Sequence, residues 1–123
     1  MKYLITESKL EKVIFRYLDN QDFIQIKRVS LTYFVNSKDD EYAQIKYISL
    51  GGCTISPELI KEISSFFSLD ESDSESAIGR WVGNTLQMRV TNTHKPLSHK
   101  SNWLKIPSNE DILTHSLLGI PFN

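Results

Sequence analysis

Leu31-Thr32-Tyr33-Phe34-Val35, then Asn36-Ser37-Lys38-Asp39-Asp40, then Tyr42-Ala43-Gln44-Ile45-Lys46-Tyr47-Ile48-Ser49-Leu50: the reading of this stretch decides the fold. The first five residues are β-branched, aromatic or aliphatic, the composition that suits a pleated, half-buried surface. The next five are polar turn formers. In the last run Ala43, Ile45, Tyr47 and Ser49 alternate with Gln44, Lys46, Ile48 and Leu50. Alternation of period two puts one set on a core and the other outward. The two runs predict a hairpin, 31–35 against 42–49. Phe23-Ile24-Gln25-Ile26 supplies a short strand before it, and Gly51-Gly52 breaks the pattern after it.

Helical spacing flanks this sheet. Leu10, Val13, Ile14, Tyr17 and Leu18 recur at the spacing of one buried helix face, predicting a helix over 6–19. Thr6 can cap it, with Ile5 and Leu10 as the apolar staple, and Ser8 with Glu11 is a competing capping box. Ser56-Pro57-Glu58 opens a second helix, with cap, N1 proline and first-turn acid in the preferred order. Its apolar face is Leu59, Ile60, Ile63, Phe66 and Phe67. Residues 68–75 read as an acidic, serine-rich loop. Ser72 and Glu75 would box the start of a third helix that turns Ile78, Trp81 and Val82 inward. Leu86, Met88 and Val90 alternate with Gln87, Arg89 and Thr91, which predicts a strand over 86–91. Residues 92–108 carry two prolines and read as mostly irregular, and Ser108 can cap a last short helix.

The expected fold is α+β: a small, mainly antiparallel sheet covered by two to three helices, with an irregular C-terminal extension. The chain divides into a compact domain, 1–93, and an extension, 94–123, packing on that domain or on a partner. At 123 residues it can bury a core without staples. With 40% hydrophobic and 24% charged residues, wholesale disorder is excluded. Cys53 is the single cysteine, so no internal disulfide forms. No apolar run approaches the roughly 18 residues a membrane span needs. Neither a signal peptide nor a membrane partner is expected, and the expected location is cytoplasmic.

Charge is unevenly distributed. Residues 1–75 hold nine Lys/Arg and thirteen Asp/Glu, while 76–109 hold five basic residues and no acid. Within that acid-free stretch Arg80, Arg89, Lys95, Lys100, Trp103 and Lys105 are the residue types that bind nucleic acid. Cations replace counterions, and an aromatic face accepts a stacked base. The bland alternative is a solvated basic loop with Trp103 anchored in the core. His94 and His99, with four residues between them, lack the tight paired spacing of a zinc site. Cys53 follows two glycines but lies three residues short of a helix start, and reads as a small buried residue. The carboxylate clusters at 39–41, 70–75 and 110–111 fall in turns, loops and a helix's first turn. Gly79 and Gly83 let another backbone approach α-helical residues closely, by packing on the sheet or by self-association. No catalytic constellation, cofactor or small-molecule substrate is expected.

The opening Ile5-Thr6-Glu7-Ser8-Lys9-Leu10 resembles the I-T-E-S-x-L start of many small proteins of large tailed bacteriophages. The resemblance covers about a tenth of the chain. It implies a viral or prophage-related origin, hence host cytoplasm or virion as the location, and no activity.

Together these readings predict a small non-enzymatic interaction or structural protein. Its partner is a protein or a second copy, met through Trp103, Leu117, Leu118, Ile120 and Phe122. The alternative is a nucleic-acid-binding accessory protein using the basic 80–105 segment.

Overall fold

The computed structural model describes residues 7–107, with side chains from residue 9 onward. The element order is α1 (Glu7–Asp19), β1 (Ile24–Arg28), β2 (Leu31–Val35), β3 (Ile45–Ile48), β4 (Gly52–Ile55), α2 (Pro57–Phe67), α3 (Glu71–Leu86) and β5 (Asn92–His94). This is an α+β fold. The five strands lie in sequence order. The first four form an antiparallel meander, and β5 joins β4 in parallel after the α2–α3 crossover. A parallel neighbour requires such a crossover, because no tight turn can reverse the chain twice.

The predicted hairpin forms, with Leu31 opposite Ile48 and Phe34 opposite Ile45. The strand over 23–26 forms one residue later, as β1. Gly51-Gly52 does not end the sheet. Gly51 turns the chain at φ 107, where a side chain would be strained, and Gly52 already belongs to β4.

The two sheet faces differ. Phe34, Ile45, Tyr47, Cys53 and Ile55 face the helices and pack with Ile14, Leu18, Leu59, Ile60, Ile63, Ile78, Trp81 and Val82. Trp81 is the pivot of this core. Its ring meets Phe34 at 5.3 Å and Phe23 at 5.8 Å, and its indole N–H donates to Asp19 at 2.9 Å. The buried polar edge is thus satisfied while the ring fills the core. Two expected core residues point outward instead: Val13 on α1 and Phe66 on α2 are exposed.

Three expectations are corrected at the third helix and beyond. Asp70, not Ser72, caps α3, its Oδ1 accepting from the Asp73 N–H at 2.7 Å. Residues 86–91 are not a strand. The helix runs through Leu86, and Gln87 closes it in the left-handed conformation, donating to the Gly83 carbonyl. The local alternation is mimicry: Leu86 and Val90 pack against the core as the chain folds back, while Met88 stays outside. The glycines allow this close return. A Cβ on Gly83 would sit 3.0 Å from the Met88 carbonyl oxygen, and one on Gly79 would sit 2.7 Å from Thr93 Cγ2. The strand that does form, Asn92–His94, lies in the stretch expected to be irregular. The cap at Thr6 and the last helix from Ser108 lie outside the described residues.

Candidate contact surface

The register sets one row across all five strands on the helix-free face: Ile26, Tyr33, Lys46, Thr54 and His94. At the β1–β2 side this face carries a second apolar cluster. Tyr33, Val35 and Ala43 are buried there, with Ile24, Ile26, Leu31 and Ile106 packed against them. At the β4–β5 side it is covered by the segment after β5. That segment is pinned by backbone: the Ala43 N–H donates to the Leu104 carbonyl at 2.8 Å, and the Ile106 N–H to the Glu41 carbonyl at 2.9 Å. The pairing of Tyr42 with Lys105 is the bridge between these bonds.

Leu104 is fully buried and Pro96 is buried, so they hold the segment down. Trp103 is not the anchor. It is 56% exposed, lying against the sheet row rather than under it. Its ring meets the His94 ring edge-on at 5.6 Å, and Lys46 Nζ lies 6.0 Å from its centre. Burial beneath this segment pushes the Lys46 ammonium below its ordinary value. Leu97 projects fully into solvent nearby in the chain. The result is a half-exposed aromatic ring with a cation near it, on a backbone-pinned base.

The basic residues of 80–105 do not gather into one surface. Arg80 pairs with Glu11 of α1, across the helical layer. Lys95 pairs with Glu71 at 2.7 Å, which raises the lysine and lowers the carboxyl from their ordinary values. Arg89 sits in the loop after α3, where its carbonyl accepts from the Tyr47 hydroxyl at 2.9 Å. That loop is at the opposite end of the sheet from the Tyr42–Lys105 bridge. Lys100 and Lys105 are exposed on the same segment as Trp103 and have no ion pair among the described residues. Of the interaction residues expected from sequence, Leu117, Leu118, Ile120 and Phe122 lie outside the described residues.

The candidates for chemistry separate as well. His94 faces Trp103, whereas His99 sits between Tyr42 and Glu58, with Nδ1 3.6 Å from Glu58 Oε2. That distance suits an ion pair of a protonated ring but is too long for a hydrogen bond, and Nδ1 is otherwise buried without a partner. Among the described residues no three His, Cys, Asp or Glu side chains converge on a metal position. Cys53 is 2% exposed, and burial, with Glu75 adding to it, pushes its thiol up to about 12. It is a neutral, inaccessible thiol rather than a thiolate. No helix among the described residues is long and apolar enough to cross a membrane.

From sequence Trp103 reads either as a contact residue or as a core anchor, and its 56% exposure goes against the anchor. The row partners Lys46 and His94 could not be joined to Trp103 from sequence, because their adjacency depends on a parallel β4–β5 pairing. No family model, no curated protein and no solved structure matches the chain.

Proposed function

We propose that this chain is a small, non-enzymatic protein–protein interaction protein of viral or prophage-related origin, and that it meets its partner through Trp103. The exposure of Trp103 on a pinned base is the observation that carries this reading. Folding alone favours burying so large an apolar ring, and here the neighbouring Leu104 takes the buried place. Tryptophan is among the residues most enriched at the energetic centres of protein interfaces, where its rigid ring brings area at little entropic cost. Leu97, exposed on the same segment, would add apolar area, and Lys100 and Lys105 would supply a cationic rim.

Nucleic acid is the second reading, favoured by the same half-exposed ring. A base stacked on Trp103, with Lys100 and Lys105 near the phosphates, fits a single-strand contact. Against it, Arg80 and Lys95 are already paired with Glu11 and Glu71, and Arg89 lies elsewhere.

A photo-crosslinking residue at position 97, placed in cells that make the protein, separates the two. Discrete protein adducts that vanish with Trp103→Ala are the expected result. Nuclease-sensitive adducts would install the second reading. No adduct at all, with self-association also absent by sedimentation, would overturn both.

A further inference from the structure

At the sheet end opposite the 36–44 connection, three turns lie side by side. They are Val29-Ser30 between β1 and β2, Ser49-Leu50-Gly51 between β3 and β4, and the 87–91 loop leading to β5. Backbone bonds join them into one platform. The Ser49 N–H donates to the Ser30 carbonyl at 2.9 Å, and the Thr91 N–H to the Gly51 carbonyl at 2.8 Å. The tips carry aliphatic side chains in solvent: Val29 is 95% exposed, Leu50 89% and Met88 47%.

Those residues go against local preference. A two-residue hairpin turn favours Asn, Asp or Gly, and Ser30 takes the positive φ of 66 that such residues accept best. A β-branched valine beside it gains nothing from the turn and loses in solvation. Local rules broken at several neighbouring points are a mark of function. The charges have the same bias. The stretches 27–32, 47–52 and 84–92 contain Lys27, Arg28 and Arg89 and no Asp or Glu. None of the three has an ion pair among the described residues, and Arg28 Nε is buried without a hydrogen-bond partner.

We propose that this end of the sheet docks on an anionic phospholipid surface, with Val29 and Leu50 entering the headgroup–acyl boundary and Lys27, Arg28 and Arg89 facing lipid phosphates. The tips are convex knobs roughly 10 Å apart, two strand spacings. A flat protein would touch only the knobs and bury little of the roughly 1,000 Å² that a stable interface needs. A fluid interface closes around them, and cations add attraction to an anionic surface. A second copy meeting the same end would set like charges against each other. The expectation of no membrane partner rested on the lack of a spanning run, and a surface contact needs none. The residues are different from those around Trp103, so either reading can fail alone.

The test is co-sedimentation of the full chain with large vesicles of phosphatidylcholine, with and without phosphatidylserine, over a salt series. Binding to the anionic vesicles only, weakening with salt, is expected. Leu50→Ser and Val29→Ser should each reduce the partition coefficient about tenfold. Arg89→Gln should reduce it about fivefold. These positions are exposed, so an unchanged Tm verifies that the fold is intact. Inorganic phosphate should not displace the protein beyond its effect as a salt; displacement would mean a free-phosphate site and overturn the lipid assignment. No partition, or partition unchanged in the serine variants, would overturn it too, as would crosslinks from position 50 to a protein.

Discussion

Replacing Leu104 with alanine should destabilise the fold much more than removing the far larger ring of Trp103 next to it. Leu104 is 0% exposed, so the substitution loses its transfer energy and leaves a cavity under the pinned segment. Buried leucine-to-alanine changes cost about 2–5 kcal/mol. Against a total stability of about 5–15 kcal/mol for a domain, that is a fall in Tm of roughly 10 °C or more. Trp103 is 56% exposed, and its ring interactions are loose, with His94 at 5.6 Å and Lys46 at 6.0 Å. An edge-on aromatic pair and an exposed cation–ring contact together amount to about 1–2 kcal/mol, so Trp103→Ala should lower Tm by only a few degrees. Differential scanning calorimetry of the two variants measures this directly. The reasoning is refuted if Trp103→Ala proves the more damaging of the two.

Gly79→Ala should destabilise despite alanine's better helix propensity, by about 1–3 kcal/mol, because its Cβ meets Thr93 Cγ2. Adding Thr93→Ser removes that methyl, keeps the hydroxyl bonded to Glu75, and should restore most of the loss in chemical denaturation. The Cys53 thiol should resist a disulfide reagent at pH 8 until the protein unfolds, with labelling that follows denaturation. Its folded value, about 12, lies above the ordinary 9.0. Its contribution to stability is therefore whole below pH 9 and is lost as pH rises toward 12, since the unfolded thiol ionises first. Cys53→Ala should show a shallower alkaline decline than the parent in denaturant titrations between those limits. Lys95→Ala, which removes an exposed pair with Glu71, should leave Tm unchanged within error.

What could be read from sequence follows from how local its cause is. The second helix was legible in full at its start, because Ser56 bonds the Leu59 N–H at 3.1 Å and Pro57 follows. The hairpin was legible because turn and alternation agree within one short stretch. Strand β4 was not, since its four residues include glycine and their burial comes from β3 and β5 on either side. The false strand at 86–91 shows the converse: a period-two pattern arises where a helix end and a returning loop alternately touch the core. Val13 and Phe66 sit at helical spacing yet stay exposed, Phe66 at the outer edge of a ring cluster in which Tyr17 of α1 meets it at 4.8 Å. At Trp103 and Leu104 composition favours burying the larger ring, and only the pairing of 104–106 with 41–43 decides which neighbour points inward.

The most direct measurement is quenching of each tryptophan alone by iodide and acrylamide, in Trp81→Phe and Trp103→Phe variants. Trp103 should emit to the red and quench strongly, while Trp81, 3% exposed and bonded to Asp19, should be protected from both agents. A Trp103 as protected as Trp81 would contradict its placement as an exposed contact residue and remove the basis for a partner there.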